Sequence, residues 1–147
     1  PRLTGQFNYI KLHGSFDWRD PAGKTLLVAG GGKLESILES PLLNWYRDVF
    51  CTVCSAGNVR LFISGYGFGD EHINEVIGSA VKQAALGVFI HNTLPSREMQ
   101  SRLASLPHGP DIWSGLIGYS SRSMFDIFPG TQEKTQELES IEESFFS

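Results

Sequence analysis

The stretch Leu61-Phe-Ile-Ser-Gly-Tyr-Gly-Phe-Gly-Asp-Glu-His-Ile-Asn74 constrains the fold more than any other part of the chain. A short apolar run meets three glycines set two apart, and a helix signal follows at once. Residues 59–64 read as a buried strand. Asp70 stands where a helix N-cap is expected, and Glu71 suits the positive end of the helix. Ile73, Val76, Ile77, Ala80, Val81 and Ala84 then form one broad apolar face. After Gly87, Val88-Phe89-Ile90 reads as a second strand. The run has the length of a strand–helix–strand unit, about 30 residues, which predicts a parallel sheet with a right-handed crossover. In that arrangement the glycine turn lies at the carboxyl end of a strand and the N-terminus of a helix, where open α/β sheets bind nucleotides.

The remaining segments are shorter. Residues 7–12 read as a strand ended by His13, Gly14 and Ser15, followed by a polar turn from Asp17 to Lys24. Residues 25–29 are a strand-like apolar run, and Gly30, Gly31 and Gly32 form a loop. Ser40 before Pro41 is a helix start, a capping hydroxyl ahead of a proline at the first helical position. Leu42, Tyr46, Val49 and Val53 recur behind it at helical spacing, with Leu43 and Phe50 alongside. Ser96 to Leu106 predicts another helix, stopped by Pro107-His-Gly-Pro110. Residues 111–130 carry no clear period, although Phe125, Ile127 and Phe128 are expected to pack on the body. Thr131 to Ser147 is a polar helix whose apolar seam is Leu138, Ile141, Phe145 and Phe146. Such a seam needs a surface to dock on.

Length and charge narrow the function. A chain of 147 residues, 41% apolar and 19% charged, has an ordinary globular composition. Its net charge of −4, with basic residues scattered, argues against a nucleic-acid surface. No apolar run reaches the ~20 residues of a membrane span. Cys51 and Cys54 fall within one predicted helix and share a face, which reads as two small buried hydrophobes. A zinc centre would need further ligands, and no second cysteine pair exists. Cys51 and Cys54 are expected to be free thiols and no signal peptide is expected, which together predict a cytoplasmic setting. The chain starts with Pro1 just ahead of a strand, so a fragment of a longer domain is expected.

Each candidate site residue has a chemical and a bland reading. Gly65 and Gly67 would let the backbone approach a phosphate or ribose, or would only make a tight turn. The spacing departs from the dinucleotide fingerprint because Asp70 replaces its third glycine, and Ala29-Gly-Gly-Gly-Lys33 lacks the P-loop spacing. His13 is poised for proton transfer near neutral pH, or is a hydrogen-bonded structural histidine. Asn92 would hold a ribose hydroxyl, or start a turn.

Lys11-Leu-His-Gly-Ser-Phe-Asp-Trp18 and Ile63-Ser-Gly-Tyr-Gly-Phe-Gly-Asp-Glu-His-Ile-Asn74 together resemble the paired signatures of bacterial sirtuin-like domains, in the same order and spacing. The resemblance covers about residues 7–92. It implies an α/β, Rossmann-like fold with a mostly parallel sheet and flanking helices. Residues 1–130 would form the C-terminal part of the NAD-binding domain, with 131–147 as a docking helix. By resemblance, His13 matches the catalytic histidine, and Gly14, Gly65, Tyr66, Gly67, Asp70 and Asn92 match positions around NAD. The implied activity is hydrolysis of NAD at the nicotinamide–ribose bond in antiphage defence, with NAD as substrate and no metal. The implied partners are other copies in a homo-oligomer or a defence-system protein. A non-catalytic NAD or ADP-ribose sensor, or an assembly module, remains open. The family's catalytic asparagine and first glycine-rich turn precede the Lys-Leu-His-Gly motif and have no counterpart here. The missing zinc cysteines weigh against a protein deacylase.

Overall fold

The computed structural model describes residues 9–130 and 134–146. The chain divides into two compact units, one ending at Val53 and the other beginning at Cys54.

The first unit is a β-hairpin with two helices. β1 (Gly14–Arg19) pairs antiparallel with β2 (Thr25–Leu27), Gly14 opposite Leu27 and Arg19 opposite Thr25. The intervening turn is built by Asp20, whose carboxylate accepts from the N–H groups of Ala22 and Lys24 at 2.9 and 2.8 Å. This corrects the expected strand over 7–12. Residues 9–13 lie outside any strand, the strand instead begins at Gly14, and residues 7 and 8 fall outside the described residues. The reason is the close approach of the two hairpin arms. A Cβ on Gly14 would sit 1.9 Å from the Leu26 carbonyl oxygen, and φ here is +74°. Only glycine permits both.

Helix α1 (Lys33–Glu39), unexpected from the sequence, follows the glycine run, with Gly32 in left-handed conformation at its N-cap. Helix α2 (Pro41–Cys54) starts where Ser40-Pro41 predicts. Its face is rotated from expectation: Leu43, Val49 and Cys54 are buried, whereas Leu42 is exposed. Cys51 and Cys54 share this helix without a disulfide among the described residues, and Cys54 is 2% exposed. Trp18 of β1 packs on Tyr46 of α2 at 5.8 Å between ring centroids.

The second unit is a parallel sheet with helices. β3 (Arg60–Ser64), β4 (Gly87–His91) and β5 (Leu116–Ser120) lie in that order. Arg60 to Ser64 pair in register with Gly87 to His91. Helix α3 (Glu71–Ala84) joins β3 to β4 as the apolar period predicts. α4 (Ser96–Ala104) and α5 (Gly109–Ser114) then lead into β5. The sheet's interior strand β4 is buried from Val88 to His91, and Ile63, Ile77, Ala80, Met99, Leu103 and Ile112 complete the core. Lys82 of α3 pairs with Asp111 of α5 at 2.9 Å.

Residues 111–130 contain β5 and the one-turn helix α6 (Met124–Ile127). Gly118 hides β5 from sequence reading, because glycine is a strand breaker. It is needed there: a Cβ would lie 2.4 Å from the Phe89 ring on the neighbouring strand. Of the three residues expected to pack, Ile127 is buried, but Phe125 and Phe128 are exposed. The last helix, α7 (Gln136–Phe146), sets Phe145 edge-on to Phe62 and Phe89 at 5.8 and 6.4 Å. Residues 131–133 of the expected helix lie outside the described residues.

Candidate functional site

The carboxyl edge of the parallel sheet is where the sequence placed a ligand site, and five of the seven candidate residues belong to it. Ser64 ends β3 opposite His91, which ends β4, so Gly65 and Asn92 leave the sheet side by side. The Gly65 N–H donates to the His91 carbonyl at 3.2 Å, and its φ of +66° turns the chain sharply out of the strand. Nothing lies within 4 Å of a Cβ built on Gly65 or Gly69. Here glycine serves a turn and leaves open space beside the backbone.

The loop between Gly65 and Asp70 is held by a residue the sequence reading passed over. Asn74, 1% exposed on α3, donates from its carboxamide to the Phe68 carbonyl at 2.9 Å. Its oxygen accepts from the Tyr66 hydroxyl at 3.1 Å. That hydroxyl also lies 3.1 Å from the Asp70 carbonyl, so one proton is shared between two acceptors. Phe68 is buried at 1% exposure with φ at +57°, a conformation rare for a side-chain-bearing residue. Its ring stacks obliquely on Tyr66 at 4.8 Å. Burial of Phe68 and the Asn74 bond hold this strained backbone in place. Asn74 carried a signal in retrospect: a polar residue on the buried side of an otherwise apolar helix face.

Burial and the charge of Asp70 push the Tyr66 phenol up to about 12, against a smaller opposing effect of its bond to the Asp70 backbone. Tyr66 is therefore a neutral hydrogen-bond donor throughout the physiological range. Asp70 does occupy the N-cap of α3, but its carboxylate makes no capping bond to the helix among the described residues. The Asp70 carbonyl accepts from Ile73 and Asn74 instead, both at 3.0 Å. His72 lies in the first turn of α3.

Asn92 takes the turn-forming role. Its side-chain oxygen accepts from the Leu94 N–H at 3.0 Å, while its own N–H donates to the Ser120 carbonyl. Tyr119 fixes the same turn by donating to the Leu94 carbonyl at 2.6 Å. Burial, with the charge of Glu98 second, raises the Tyr119 phenol above its ordinary value. Arg102 is a second residue the sequence left unmarked. Its guanidinium comes within 3.7 Å of a Cβ built on Gly67, so a cation borders the glycine loop.

His13 and Gly14 belong to the first unit. His13 stands in the turn immediately before β1, where its carbonyl accepts from Val28 at 2.9 Å. The expectation of a histidine at the carboxyl end of a strand is thus corrected. The contact that defines Gly14 is backbone crowding against Leu26, a structural requirement of the hairpin.

The second-unit residues offer groups that can meet an anion, beside the Asp70 and Glu71 carboxylates. They supply open backbone at two glycines, a helix N-terminus and one guanidinium. No helix among the described residues is long and apolar enough to cross a membrane.

A family model for the SIR2-like domain matches residues 2–104, more than two thirds of the chain. Comparison with curated proteins and with solved structures returned no match. The match spans both sequence motifs and reaches beyond Asn92 into α4, so a sirtuin-like domain is upheld over a span wider than residues 7–92. The parallel sheet with flanking helices agrees with a Rossmann-like fold. The chain belongs to the SIR2-like domain family, whose role is NAD-related in general.

Proposed function

We propose that this protein hydrolyses NAD at the bond between nicotinamide and ribose. Membership of the SIR2-like family supports an NAD ligand. The observation that carries the reading is the loop from Gly65 to Asp70, which Tyr66 and Asn74 hold in one shape beside Arg102. A preformed loop of this kind contributes through orientation, since the nucleotide need not order it on binding. Arg102 and the N-terminus of α3 suit the diphosphate. Nicotinamide departure leaves positive charge on the ribose, and water must then be delivered to that carbon. His13 is the proposed general base, on a ribose hydroxyl or on that water. Its role rests on its place in the Lys-Leu-His-Gly motif. We place the activity in bacterial antiphage defence, in a homo-oligomer or with a defence-system partner.

The test is nicotinamide release from NAD. His13→Ala should lower turnover by about 100-fold or more while the melting temperature stays within a few degrees. Undiminished turnover removes His13 from the mechanism. NAD-dependent melting without nicotinamide favours a sensor of NAD or ADP-ribose. Release that depends on an acylated peptide favours a deacylase.

A further inference from the structure

The strand ends beneath the glycine loop carry a second constellation that the NAD reading leaves unused. Ser64 Oγ lies 2.8 Å from His91 Nδ1. His91 Nε2 lies 2.8 Å from the Arg122 carbonyl oxygen. A carbonyl can only accept, so Nε2 carries the ring proton and Nδ1 presents a lone pair. The Ser64 hydroxyl therefore donates to Nδ1. Hydroxyl, base and a third group that orients the base form the arrangement of an activated nucleophile. Its two members differ in exposure. His91 is 4% exposed and packs against the Phe62 ring at 6.4 Å, so the base cannot swing away. Ser64 is exposed. Beside the hydroxyl lie a weak second acceptor, the Met124 thioether, and exposed apolar side chains. Met124 Sδ lies 3.9 Å from Oγ, and Met124 and Phe62 are 51% and 39% exposed.

We propose that Ser64 is a histidine-activated hydroxyl that takes a small acyl group from an activated carboxylic ester. Oγ attacks the acyl carbon and forms the new ester bond as its proton passes to His91 Nδ1. The original ester C–O bond breaks, and its oxygen leaves as an alcohol by taking that proton. Met124 and Phe62 provide apolar contact for a short acyl chain. The orienting group is a neutral carbonyl, not a carboxylate, and the Gly65 N–H is already bonded to the His91 carbonyl. Both facts limit the stabilisation of an oxyanion, so the expected outcome is slow, single-site self-acylation without fast turnover.

Incubation with p-nitrophenyl acetate, followed by peptide mass spectrometry, tests the proposal without any variant. Ser101 and Ser114 are internal references: both are exposed, and their hydroxyls donate to carbonyl oxygens instead of a base. Ser64 should acetylate about tenfold faster or more than either. His91→Gln should bring Ser64 to the reference rate, and Ser64→Ala should abolish the modified peptide. If His91→Gln unfolds the protein, Ser64→Cys provides the second arm: it should react with iodoacetamide about tenfold faster or more than Ser101→Cys, and equal rates overturn the proposal. Equal acetylation of Ser64, Ser101 and Ser114 overturns the proposal, as does a Ser64 rate that a folded His91→Gln protein leaves unchanged. Nicotinamide release is a separate readout, so either reading can fail alone.

Discussion

Asn74 is the side chain on which the candidate loop depends. It satisfies the Phe68 carbonyl and shares the Tyr66 hydroxyl with the Asp70 carbonyl. Asn74→Leu keeps the branching at Cγ and removes both bonds. The orphaned Phe68 carbonyl should cost about 1–3 kcal/mol, read as a lowered midpoint in denaturant unfolding. On the proposed NAD reading, stabilisation by added NAD should vanish with it. Tyr66 gives a pH signature. Its folded value of about 12 exceeds the ordinary 10, so its contribution is complete below pH 10 and is lost as pH rises through 12. Stability followed from pH 9 to 12 should fall less steeply in Tyr66→Phe than in the parent. The glycines and Tyr66 stand in the motif with a role to assign, whereas Asn74 closes the same motif with none. A buried amide acquires meaning only when its partners, six and eight residues back, are brought beneath it by the turn.

Among the elements, the helices with a clean apolar period and a start signal were the readable ones. α3 runs from Glu71 to Ala84 and α2 begins at Pro41, as Asp70-Glu71 and Ser40-Pro41 indicate. The hairpin was misplaced because the run before His13 is as strand-like as the run after it. What decides is the pairing with β2, and pairing is not written in one strand's composition. Gly14 marks that decision. Gly14→Ala should destabilise the protein by more than about 1 kcal/mol, since both its positive φ and the Leu26 carbonyl oppose a side chain. Thermal unfolding measures the effect, and an unchanged melting temperature would refute the crowding. β5 went unread for the opposite reason. Its central Gly118 looks like a breaker until the Phe89 ring is seen to fill the space above it.

At the scale of the whole molecule, the C-terminal helix has found a surface within its own chain. Phe145 of α7 lies against Phe62 and Phe89, and the Arg60 guanidinium donates to the Phe145 carbonyl at 2.5 Å. Ending the chain before Lys134 should bare the two sheet phenylalanines. Binding of a hydrophobic dye and light scattering should both rise, and a truncated protein that stays dye-silent would mean α7 is dispensable as a cover. The sequence alone was enough for the α/β class, the strand–helix–strand unit at 59–91 and the glycine turn between its first strand and helix. These follow from local periodicity and from residues whose backbone preferences act within a few positions. Only tertiary structure decided where the first strand begins, that Asn74 braces the turn, that Arg102 borders it and that Ser64 meets His91. Each of these joins residues through packing or strand register, and the free energy of such contacts belongs to pairs far apart in the chain, which no local pattern records.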